Sequence, residues 1–136
     1  MGSFSDTPSL TAAGTVAPYR AVKAVSATGY TRHSGDQVST AADFVIGVAD
    51  GSTRKFDSAD HAIAGDAITL QGGDIVLVQT GSTAAIACGG LLKLTTDGRF
   101  IAGGAANDIN WAVALEPSSA ANLIIRAKLL STPRVS

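Results

Sequence analysis

Residues 111–116 read WAVALE, and residues 44–50 read FVIGVAD. Both segments are runs of small apolar residues, and each follows an aspartate, Asp108 or Asp43. The likeness extends outward from them. VKAVSATGYTRHSG (22–35) before DFVIGVAD (43–50) has the same order as LKLTTDGRFIAGG (92–104) before DINWAVALE (108–116). Lys23 answers to Lys93, Gly29 to Gly98, and Gly35 to Gly103 or Gly104. Asp43 answers to Asp108, and Val48-Ala49 to Val113-Ala114. An apolar segment follows each copy: DIVLV after the first and NLIIRAKLL after the second. Short apolar runs punctuated by glycine are the pattern of an all-β chain, and neither copy could bury its apolar face alone. The expected fold is one small β-sandwich or tulip-like barrel of two related meanders, about residues 19–80 and 81–130.

Within the second copy, Asp97-Gly98 is a hairpin signal, since both residue types tolerate positive φ. A two-residue turn there pairs Thr95 with Phe100 and Leu94 with Ile101, so that Leu92, Leu94 and Ile101 share a face. Gly72-Gly73 reads as a second turn, between AITLQ and DIVLVQ. NLIIRAKLL alternates, with Ile125, Ala127 and Leu129 on one side and Arg126 and Lys128 on the other, as a half-exposed strand does. DIVLV has no polar side, so one of its faces calls for a cover, in this chain or another. That marks Ile75 and Leu77 as candidate oligomer-interface residues. Trp111 is a third candidate as an interface anchor, and core packing in the place of Ile46 is the other reading. DSADHAIAGD (57–66) could form one or two helical turns between Ser58 and Gly65.

Residues 1–18 have scattered apolar side chains, two prolines and no basic residue. They read as an extended arm, whose Phe4, Leu10 and Val16 lack local partners and are candidates for contact with a larger surface.

Composition narrows the function. A net charge of −1 makes no case for nucleic acid or an anionic membrane surface. Only 15% of residues are charged, against the usual quarter. A surface that poor in charge suits a protein covered by neighbours, and equally a compact secreted β-protein. Cys88 is alone, which excludes an internal disulfide, and its apolar setting suggests a buried, inert thiol. No basic-then-apolar leader opens the chain, and no apolar run reaches membrane-spanning length, so a soluble protein is expected. His61 with Asp57 and Asp60 falls short of a converging metal set and reads as a polar loop. Arg54-Lys55-Phe56 lacks a wider basic face. No nucleophile elbow or phosphate loop is present. No enzyme, cofactor or metal is expected.

The ordered motifs of residues 89–130 (glycine entry, LKL strand, DG turn, WAVALE strand, closing apolar strand) resemble the head decoration, or capsid cement, proteins of tailed bacteriophages. Phe44 to Ala49 looks like a second strand of the same type. Ala112 stands where that family usually has glycine, and EPSSAAN replaces its glycine-bearing loop. The resemblance implies a virion protein made in the host cytoplasm and placed on the outer surface of the capsid. Its partners would be the major capsid protein and itself, as a trimer rather than a dimer, with no chemistry. A carbohydrate-binding or adhesive β-sandwich module is the alternative. It would call for two or three exposed aromatic rings.

Overall fold

The computed structural model describes residues 9–25, 34–40, 43–52, 61–81 and 85–136. Their regular structure is all β. The strands are β1 (Ser9–Ala12), β2 (Ala21–Ala24), β3 (Ser34–Gln37), β4 (Val45–Val48) and β5 (Ala67–Thr69). They continue with β6 (Ile75–Gln79), β7 (Leu91–Leu94), β8 (Phe100–Ala102), β9 (Ile109–Ala114) and β10 (Ile124–Val135). Two five-stranded sheets result, ordered β4-β2-β3-β1-β5 and β6-β10-β9-β7-β8.

These orders describe one circuit used twice. In the first unit β2 lies between β3 and β4, β1 runs parallel to β3, and β5 runs antiparallel to β1. An Ala49–Leu70 bridge then joins the ends of β4 and β5, curling the sheet into a small barrel. In the second unit β7 lies between β8 and β9, and β10 joins β9 to β6. A parallel Thr80–Phe100 bridge brings the end of β6 to β8, as β1 meets β3. Counterpart backbone bonds agree: Tyr19 N–H to Ala49 O is 2.9 Å and Gly89 N–H to Ala114 O is 2.7 Å. Both donors sit at positive φ, 62° for Tyr19 and 85° for Gly89. The repeat seen in the sequence is therefore a repeat of topology.

Several details differ from the sequence reading. Leu94 pairs with Phe100, and Lys93 with Ile101, one residue away from the expected register. Gly98 has φ +79°, whereas Asp97 does not enter the left-handed region. The Thr95 N–H donates to Arg99 O at 2.8 Å, which gives a longer turn ending in a glycine bulge rather than a two-residue type I′ turn. A one-residue shift reverses the faces, so the buried partner of Leu92 and Leu94 is Phe100, while Ile101 is half-buried beside Lys93. Gly35 occupies the place of Phe100, not of Gly103 or Gly104, because Ala24 pairs with Gly35 as Leu94 does with Phe100. A Cβ at Gly35 would stand 2.9 Å from both Leu10 Cδ1 and Val22 Cγ1, so those side chains fill the first barrel instead.

The boundary between copies also moves. DIVLV opens the second unit as β6, and the strand closing the first is β5. Gly72-Gly73 links the units rather than forming a hairpin, since β5 and β6 do not pair. Residues 9–18, read as part of an arm, are built into the first unit: Leu10 pairs with Ile68, Thr11 with Ser34, and Val16 with Ala62. These partners lie far along the chain, so no local sequence signature announces them. Residues 61–66 form a bridge and a turn rather than helix, and 57–60 lie outside the described residues. Cys88 is exposed, not buried, because the turn before β7 carries it outward.

Ala12, Val16, Val22, Ala49, Ala62, Ile68 and Leu70 form the core of the first barrel. A larger core fills the second unit and also takes in Ala21, Val38, Val45 and Val48 from the outside of the first. β10 follows its expected alternation, with Ile125 and Ala127 buried and Arg126 and Lys128 exposed.

Candidate interaction surface

Three built features order the surfaces. The first is a repeated ion pair that fixes the entry to β4 and β9. Lys23 Nζ lies 3.2 Å from Asp43 Oδ2, and Lys93 Nζ lies 3.1 Å from Asp108 Oδ1. Asp43 also accepts the backbone N–H groups of Ser39 (2.9 Å) and Thr40 (3.0 Å), and Asp108 accepts that of Ala105 (3.0 Å). The register slips at the same place in both units, opposite Val22-Lys23 and Leu92-Lys93. The residues skipped by the pairing are Ile46 and Trp111.

The second feature is the junction between units. The Ala21 N–H donates to Gly98 O at 2.8 Å, and the Gln79 N–H to Tyr19 O at 3.0 Å. Arg20 donates to Gln79 Oε1 (2.7 Å) and Asp97 O (2.9 Å). Asp97 Oδ2 is also 2.9 Å from Arg99 Nη2, and Arg99 Nη1 reaches Asn122 Oδ1 at 2.7 Å. On the far side the Gln71 amide clasps β6. It accepts the Leu77 N–H at 2.8 Å and donates to Leu77 O at 2.6 Å. That clasp occupies the free edge of β6 at Leu77, where another strand could otherwise add.

The third feature is the outer face of the second unit. Ile75 is 60% exposed and Leu77 39%, with Leu115 at 39% on the same side. Val76 and Val78 point inward. The two-sided apolar strand thus divides between core and surface.

The other candidate residues are placed differently. Trp111 is 2% exposed and lies in the core, with its ring centroid 5.1 Å from that of Phe44, edge to face. It cannot anchor a partner chain, because the junction with the first unit buries it. Val16 is fully buried and Leu10 packs on the first core, so neither faces outward as a contact residue would; β1 holds Leu10 inside, and the bridge to Ala62 holds Val16. Phe4 lies outside the described residues. Asp97 and Gly98 sit in the turn that docks on Ala21. Sequence reasoning missed Arg20, Gln71 and Asn110, whose roles depend on long-range partners.

Two carboxylates make the fold acid-sensitive. Burial alone would raise Asp43, but the Ser39 and Thr40 N–H groups and Lys23 outweigh it and hold it at about 2. Asp97 behaves alike: burial raises it, and Arg99, Thr95 and Arg20 bring it to about 2. A carboxylate with a depressed folded pKa contributes stability above its unfolded value of about 3.9, and loses it as pH falls through the folded value. Melting temperature is therefore expected to drop between about pH 4 and pH 2. In Asp43→Asn that drop should be smaller, as acid titration followed by circular dichroism would show.

No protein-family model matches the chain, and no curated protein does. Among solved structures, it is similar to the head fiber gp8.5 N base of bacteriophage phi29, with a TM-score of 0.58 at 14% identity. The likeness covers 96% of this chain and 98% of that one. At this identity it shows a common fold.

Proposed function

We propose that this chain is a structural protein of a tailed-phage virion, seated on the outer surface of the head. There it cements neighbouring major capsid subunits as a homo-oligomer, a trimer before a dimer, and performs no catalysis. The observation that carries this reading is the likeness of fold to a phage head fiber base, over 96% of this chain and 98% of that one. The resemblance of residues 89–130 to capsid cement proteins supports the finer part of the proposal, the cementing of the shell. The fold suits the role physically. Each unit is a curled five-stranded sheet, joined to its twin through a shared core.

The test is to mix purified protein with expanded heads of the encoding phage that lack it, then to pellet them. Saturable co-sedimentation and a higher temperature of DNA release are expected. Heads that pellet without the protein would refute the proposal. Phe4 is tested separately by deleting residues 2–8, which leaves β1 in place. Weaker pelleting is expected if Phe4 touches the capsid.

A further inference from the structure

Two pairs of counterpart positions in the repeat lie in the left-handed region, and each pair holds one glycine and one side chain. Tyr19 answers to Gly89, at φ 62° and 85°, through the bonds to Ala49 O and Ala114 O. Asn122 answers to Gly65, at φ 62° and 93°. The Gly65 N–H donates to Ala12 O at 2.9 Å and the Asn122 N–H to Thr80 O at 2.8 Å. Asp66 O and Leu123 O in turn accept the Ala12 and Thr80 N–H groups, both at 2.8 Å. A side chain held at positive φ costs conformational energy, more for tyrosine than for asparagine. The two units place these costly side chains in one groove.

That groove, of about 380 Å³, lies at the junction between Pro18, Tyr19, Arg20, Gln79, Asn122 and Ile124. Clefts between two packed units are common ligand sites. Gly51 leaves room for the tyrosine ring, since a Cβ there would stand 3.0 Å from Tyr19 Cζ. The amides that line the groove have a set orientation. Gln79 Oε1 accepts the Arg20 Nε–H at 2.7 Å, and Asn122 Oδ1 accepts an Arg99 Nη1–H at 2.7 Å. Gln79 Nε2 and Asn122 Nδ2 remain as donors, with no partner among the described residues. Arg20 and Arg99 share one carboxylate, Asp97, so this cluster keeps one positive charge.

We propose that the junction groove binds an aspartate or glutamate side chain carried on a peptide segment of a protein partner. The side chains offer donors and one net positive charge, which match a single carboxylate. A sugar hydroxyl also brings a proton to be accepted, and both amide oxygens are already taken. The Tyr19 ring, Pro18 and exposed Ile124 supply apolar surface for the carbon chain beside the carboxylate. A primary amide on peptide backbone has a precedent within the chain, in the Gln71 clasp of Leu77. The proposal deepens the head-surface reading, from which it takes only the owner of the peptide, a capsid subunit.

The experiment titrates the isotope-labelled full chain with acetyl-Ala-Ala-Asp-Ala-Ala-amide and follows amide signals by NMR. Saturable shifts are expected at the Gln79 and Asn122 side-chain amides and at the Tyr19 N–H. The same peptide with asparagine in place of aspartate, and glucuronate, should each bind several-fold more weakly. Asn122→Gly suits the backbone, as Gly65 does in the first unit, and should melt within a few degrees of the wild type. Gln79→Glu keeps an oxygen for Arg20 but replaces the donor with a charge. Both variants should keep the circular dichroism spectrum and bind the aspartate peptide several-fold more weakly. No shift in the groove, equal binding of the asparagine peptide, or unimpaired binding by Gln79→Glu would overturn the proposal. Preference for glucuronate would overturn the peptide as occupant. Wild-type protein that pellets with heads while its groove ignores the peptide would overturn the groove alone. A groove that binds the peptide in a protein that does not pellet would refute the capsid reading alone.

Discussion

Gly98→Val should lower the melting temperature by about 10 °C, one of two large stability losses expected from single substitutions. Two causes add. Gly98 has φ +79°, and a β-branched residue held in that region costs about 1–3 kcal/mol. The space is also filled by backbone. A Cβ would lie 3.1 Å from Ala21 O and 3.3 Å from Ala21 N. Valine methyls must therefore push the turn away from the first unit and break the Ala21-to-Gly98 hydrogen bond, worth about 1 kcal/mol. Gly98→Asn tolerates positive φ and should lose less. A valine variant that melts like the wild type would mean that this turn does not join the units.

Asn110→Ala is expected to cost about 3 kcal/mol, with the damage concentrated at the C-terminus. Asn110 is fully buried and its side chain is the clip for the last residues. Its Nδ2 donates to Arg134 O (2.8 Å) and Ser136 Oγ (2.7 Å), and more weakly to Asp108 O (3.3 Å). Its Oδ1 accepts the Gly104 N–H at 3.1 Å. Alanine leaves these groups without partners and opens a void. Amide exchange should accelerate at Asn107 and Ser136, which close the segment by bonding Ser136 O and Asp108 O. Asn110→Asp should be at least as damaging, since a carboxylate would face two carbonyls with no proton to offer. Unchanged exchange at Ser136 in the alanine variant would show that β9–β10 pairing alone holds the terminus.

The legible part of this fold was its repetition. Lys23, Asp43, Lys93 and Asp108 were matched by position, and they form the same ion pair in both units. Val48-Ala49 and Val113-Ala114 were matched likewise and occupy equivalent strand positions. What escaped reading depended on distant partners. Ala12 and Leu10 belong to a strand whose pairing with β3 is parallel and non-local, so nothing near them announces it. The turn at Asp97-Gly98 was placed correctly in the chain, but DG fits two turn lengths. The Thr95 hydroxyl, which accepts the Arg99 N–H at 3.1 Å, favours the longer one. Asn110 stands where the first unit has Val45, a polar-for-apolar exchange that makes sense only once Arg134 and Ser136 are beside it. The candidate surface was half legible: Ile75 and Leu77 do face outward, whereas Trp111 was turned inward by the junction.

The most direct test of the central claim is cryo-electron microscopy of virions from the encoding phage, compared with virions from which this gene is deleted. The expected difference is two-unit density at regular positions on the outer surface of the head, bridging adjacent major capsid subunits. Identical heads in both samples, or difference density confined to the tail, would contradict it.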